Sequence, residues 1–137
     1  MKHFVCLLSD NKDTQNLVAP LLSRCGLALH VASSVEACAT AEQSQEPLCI
    51  LIDLPCDEGI AVLSSLRRMK IRSPAILILD SANASVESIA GAPLDVLKRP
   101  VDLRILLSWI ECICAAHAVL ANWQAQRTNR APVSIAA

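Results

Sequence analysis

The chain has 137 residues, 53% of them hydrophobic and 18% charged, with a formal net charge of -1. That length allows one domain with a real hydrophobic core and is too short for two. A near-neutral balance argues against a nucleic-acid-binding face, which is usually basic. The apolar residues come in short runs, none near the roughly 18 residues a membrane span needs. The expectation is a cytoplasmic domain that contacts neither nucleic acid nor membrane.

The first ten residues carry one lysine and a short apolar stretch that soon meets an acid, a poor signal peptide and a good first strand over 3–8. A helix is predicted over about 13–25, with Leu17, Val18, Leu21 and Leu22 on one face and Gly26 as its stop. Residues 27–32 read as a second strand. Ser33 and Ser34 can cap a helix over about 35–43, with Glu36 as a favourable early acid. The run Leu48-Cys49-Ile50-Leu51-Ile52-Asp53 is a third strand, apolar without alternation, as a strand buried on both faces of a parallel sheet would be. A helix follows over about 58–69, where Ile60, Leu63 and Leu66 keep helical spacing.

A fourth strand is predicted over 74–79, a short weak helix over about 84–90, and a fifth strand over 94–97 that ends at Lys98-Arg99-Pro100. The last helix starts near Asp102 and extends to about Arg127 through Ile105, Leu106, Trp109, Ile110, Ile113 and Val119. Strands alternating with helices in one small chain point to a three-layer α/β sandwich around a five-stranded parallel sheet. The division expected is a domain over 1–117, then an extension of the last helix and a disordered tail over 118–137.

Seven cysteines, at 6, 25, 38, 49, 56, 112 and 114, form no CxxC pair and accompany no histidine cluster. They fit neither a disulfide framework nor a zinc site, and read as reduced, mostly buried small hydrophobes. Cys56 stands apart because it follows Pro55 in the loop beside Asp53, and an incidental loop thiol is the reading preferred over a redox role. The basic run Arg67-Arg68-Met69-Lys70-Ile71-Arg72 reads as a solvated helix end favoured by the helix dipole rather than a phosphate-backbone contact. Trp109 and Trp123 read as core or interface anchors.

Ligands of open α/β sheets bind beyond the carboxyl ends of the strands, which is where Asp53 stands. Over about residues 1–117 the chain resembles a response-regulator receiver domain. The resemblance rests on Ser9-Asp10 after the first strand, Asp53 after the third with Asp57-Glu58-Gly59 beyond it, and Lys98-Arg99-Pro100 after the fifth. It implies a flavodoxin-like, doubly wound (βα)5 fold, a phosphoacceptor at Asp53, and a Mg2+ ion held by Asp10 and Asp53. It also implies phosphoryl contacts from a hydroxyl after the fourth strand and a lysine after the fifth. Acids hold the cation, which neutralises the attacking carboxylate and the incoming phosphoryl group.

The chain departs from that pattern at several places. Ser9 replaces one acid of the usual pair, and the loop from Asp53 to Gly59 is two residues short. Leu79 or Asp80 stands where the hydroxyl belongs, with Ser81 one step further on. Arg99 stands where the lysine belongs, with Lys98 beside it expected to point outward. Asp80, Ser81, Lys98 and Arg99 are therefore the candidate phosphate contacts. Plainer roles compete at each position: Asp53 or Asp10 capping a loop or helix, Asp80 in an Asx turn, Arg99 in a structural ion pair with Asp53.

The functional expectation is a receiver-type signalling domain, not an enzyme, that acts by protein contact with weak or no phosphorylation. The alternative is a Mg2+-dependent phosphoacceptor using Asp53. Its partners would be a histidine kinase or phosphotransfer protein, or another signalling protein, with a homodimer through the last helix. A nucleotide-binding module is disfavoured because no glycine-rich loop follows the first strand.

Overall fold

The computed structural model describes residues 3–40, 47–79 and 95–129. Strands β1 (Phe4–Ser9), β2 (Ala28–Ala32), β3 (Cys49–Asp53), β4 (Ala75–Leu79) and β5 (Asp95–Lys98) form one parallel sheet in the order β2-β1-β3-β4-β5. That is the flavodoxin-like doubly wound order, and its direction reverses between β1 and β3. Helices α1 (Lys12–Arg24), α2 (Val35–Thr40), α3 (Cys56–Arg68) and α4 (Leu103–Asn129) cover it. The helix expected over 84–90 lies outside the described residues.

Alternation along the strands decides which face each side chain feeds. Val5, Leu7, Cys49, Leu51, Ile76 and Leu97 pack with Val18, Leu21 and Leu22 of α1 and with Leu106, Ile110 and Ile113 of α4. Cys6, Leu8, Ile50, Ile52, Ala75, Leu77 and Leu79 pack with Leu63 and Leu66 of α3, and Val35 and Ala37 of α2 lie against them. Helices therefore sit on both faces, and β1, β3 and β4 are buried along their whole length. Their unbroken apolar character follows from that placement.

Local capping sets the helix ends, as expected at Gly26 and Ser34 and at Asn11 in place of the neighbouring Asp10. Asn11 caps α1, its Oδ1 accepting from the Asp13 N–H at 2.9 Å. Gly26 ends that helix at φ 74°, with the Leu27 N–H donating back to the Leu22 carbonyl at 2.9 Å. Ser34 Oγ accepts from the Ala37 N–H at 3.0 Å.

The stretch Leu103–Trp123 of α4 is long and apolar enough, by length and composition alone, to cross a membrane, although charged residues break its apolar run. Arg104 and Glu111 interrupt the run without lowering its mean hydropathy far. The first half of that helix is committed to the sheet, however. Leu106, Ile110 and Ile113 are buried in the core shared with α1, so lipid could take this helix only at the expense of the core. Past Ile113 the helix continues without a break to Asn129, close to the end expected near Arg127.

Candidate functional site

The site forms at the switch point, because β1 and β3 are paired in register so that Ser9 lies beside Asp53. The apolar run of β3 carries Asp53 to the sheet rim but leaves it only 3% exposed. A buried carboxylate needs partners for its lone pairs, and Asp53 has them. Ser9 Oγ donates to Asp53 Oδ2 at 2.7 Å, and the Asn11 backbone N–H donates to Ser9 Oγ at 3.0 Å. Arg99 Nη2 donates to Asp53 Oδ1 in an ion pair. The Arg99 backbone is set by β4, its N–H donating to the Leu79 carbonyl at 3.0 Å.

Above these groups opens a cavity of about 660 Å³, lined by Asp10, Asn11, Lys12, Asp53, Leu54, Pro55 and Arg99. Asp10 is exposed on its wall and does not cap α1, since Asn11 does. Asp53 caps no helix either, because Pro55 holds the cap position of α3 and makes no side-chain cap bond. Lys98 is exposed and absent from the cavity wall, as its place in the strand alternation predicts. Leu79 turns into the core beneath α2 and α3 and offers the cavity no polar group. Asp80 and Ser81 lie outside the described residues.

The sequence reading saw Ser9 as a lost acid and did not see it as a donor. Its signal was the strand-end position opposite Asp53, legible only once the pairing register of β1 and β3 is known. Asn11 and Lys12 were missed as cavity residues for the same reason, since the turn after β1 decides where they point.

A magnesium ion at this position would need carboxylate oxygens with free lone pairs. One oxygen of Asp53 faces the Ser9 hydroxyl and the other faces a guanidinium, whose positive charge occupies the place beside the carboxylate that a cation would take. Among the described residues Asp10 is the other carboxylate on the cavity wall. Among the described residues no group of three or more His, Cys, Asp or Glu side chains could hold a metal ion. Both carboxylate oxygens of Asp53 thus have a protein partner at the place a cation would take.

The fold has counterparts among solved structures. The receiver protein of Pseudoalteromonas atlantica superposes with a TM-score of 0.73 at 19% identity, covering 83% of this chain and 98% of its own. This chain has the receiver-domain fold. NtrX from Brucella abortus, solved in complex with ADP, gives a TM-score of 0.73 at 20% identity over 93% of this chain; the match spans 29% of that protein. A CheY-like receiver domain from Methylobacillus flagellatus gives 0.67 at 18% identity, covering 82% of this chain and 99% of its own. No protein-family model and no curated protein sequence matches the chain.

Proposed function

We propose that the chain is a receiver-type signalling module whose acceptor pocket is closed by its own side chains, and that it signals by protein contact without phosphoryl transfer. The observation that carries this reading is the double engagement of Asp53, with Ser9 Oγ on one carboxylate oxygen and Arg99 on the other. To attack a phosphohistidine donor, a carboxylate needs a lone pair facing the donor and a cation to offset the gathering negative charge. Arg99 satisfies the charge of Asp53 internally, as a planar fork rather than the compact point charge of a lysine. The binding partner in this reading is a histidine kinase, a phosphotransfer protein or another signalling protein in the cytoplasm. The apolar end of α4 is read as a self-association surface.

A second reading, a Mg2+-dependent phosphoacceptor, is favoured by one observation: Asp10 and Asp53 line the same open cavity. Incubation with acetyl phosphate and Mg2+, followed by intact-mass measurement, separates the two. The closed-pocket reading expects no gain of about 80 Da, the mass of one phosphoryl group. An adduct that disappears in Asp53→Ala establishes the second reading instead.

A further inference from the structure

Three thiols converge on the face of the sheet that α1 and α4 share. Cys25 ends α1, Cys49 opens β3, and Cys114 lies on α4 one residue past the buried Ile113. Cys49 belongs to the buried cluster of that face, and Cys25 and Cys114 pack against it. All three are free thiols.

Local geometry brings them to one depth. Both helices leave the carboxyl edge of the sheet and run towards its amino edge, where His117 of α4 meets His3. At 1.5 Å per residue, Cys25 lies about 20 Å below the start of α1 and Cys114 about 17 Å below the start of α4. Cys25 continues the buried stripe of Thr14, Val18 and Leu21 at helical spacing, so it faces inward. Its backbone is set by the helix end, the Cys25 N–H donating to the Leu22 carbonyl at 3.0 Å. Cys114 shares its flank of α4 with Leu107, two turns earlier. Trp109 takes the other flank, its indole N–H donating to Asp95 of β5. The Cys114 flank is therefore the one towards α1, which lies over β1 and β2.

The thiols also feel one another. Burial pushes the Cys114 thiol up, and Cys25 and then Glu111 push it the same way. Exposure then selects a pair. Cys49 is 1% exposed, whereas Cys25 and Cys114 are half-buried and within reach of a small oxidant. Among the other described cysteines, Cys6 and Cys56 serve the opposite face of the sheet. Cys112 lies about 200° around α4 from Cys114.

We propose that Cys25 and Cys114 are a redox pair that reacts with a disulfide oxidant of the glutathione class and closes into an intramolecular disulfide. One protein thiolate attacks the S–S bond of the oxidant, forming a mixed disulfide and releasing one glutathione thiolate. The second protein thiolate attacks the protein sulfur of that mixed disulfide and releases the other glutathione thiolate. The two protons of the protein thiols end on the two released thiolates, and two electrons pass to the oxidant. The bond would tie α4 to α1 where its sheet-bound half ends, at the root of its exposed apolar end. The pair is independent of the state of Asp53.

Incubation of the folded full chain with glutathione disulfide, then intact-mass measurement and peptide mapping, tests the proposal. The expected product is a monomer lighter by about 2 Da with Cys25 joined to Cys114, a bond that needs Cα atoms within about 4.4–6.8 Å. Formation should be at least tenfold faster in the folded chain than in urea. Cys114→Ser should leave a glutathionyl group of about 305 Da on Cys25 instead of the bond. Cys112→Ser should leave the bond intact. The oxidised chain should melt several degrees higher and lose that gain on reduction, because the bond restricts the unfolded chain. Cys25 and Cys114 that remain thiols, or carry separate glutathionyl groups, overturn the proposal. So does a bond to Cys49, or one between two chains through Cys112. A Cys25–Cys114 bond that forms as fast in urea also overturns it, as chance pairing in an open chain.

Discussion

Asp53 carries a charge into the sheet rim at almost no exposure, and two side chains make that tolerable. Their contributions are unequal. Removing a charged partner from a buried carboxylate strands the charge and costs about 3–5 kcal/mol, whereas losing one neutral donor costs about 1–3 kcal/mol. Arg99→Ala is therefore expected to lower the urea-unfolding free energy more than Ser9→Ala does. Equal losses would show that Arg99, whose side chain is 30% exposed, does not carry the pair. Another buried residue sets a pH limit. Burial pushes the Cys49 thiol from the ordinary 9.0 up to about 12, so the folded chain holds that proton more tightly than the unfolded chain does. Its contribution is complete below pH 9 and is lost as pH rises towards 12. The unfolding free energy should fall across that window, and fall less in Cys49→Ala. An equal fall in both would assign the alkaline limb to other groups.

Among the elements, α4 has two halves with different physical roles. Leu106, Ile110 and Ile113 bury against the sheet, while Val119, Leu120 and Trp123 stand 69%, 51% and 50% exposed. From Cys112 to Gln126 the helix has no Asp, Glu, Lys or Arg. Large apolar side chains exposed together in this way are ordinarily covered. Ile110→Ala should cost about 2–5 kcal/mol, as large-to-small changes in a packed core do. Leu120→Ala should stay within about 0.5 kcal/mol, as for a surface position. Chemical denaturation of dilute protein checks the contrast, and a large loss at Leu120 would mean that the extension supports the fold of a single chain.

For the whole molecule, the sheet separates two regions of opposite chemistry. Its carboxyl edge holds the charge-paired site of Asp53 and Arg99, and its amino edge holds an apolar cavity against α4. The uncovered end of α4 adds a third surface. If it mediates self-association, sedimentation should show a mass that grows with concentration, and Trp123→Ala should shift that dependence at least tenfold. A monomer at every concentration, unchanged by Trp123→Ala, removes this surface from the proposal.

Much of this arrangement was legible in the residues. The unbroken apolar runs of β3 and β4 announced strands buried on both faces, Gly26 and Ser34 marked helix ends, and the strand-end position of Asp53 made it the centre of a site. The sequence by itself determined the alternation of elements and the chemical types at the rim, because those follow from short-range periodicity and local capping. Only the tertiary structure decided what those types do to one another. Strand register sets Ser9 against Asp53, and the pairing of β5 beside β4 brings Arg99 to the same carboxylate from 46 residues away. Neither contact has a local signal, because each depends on how distant strands lie side by side. The cavity at the amino edge has the same origin: its walls come from the starts of three strands and from the last helix, which only the parallel sheet brings together.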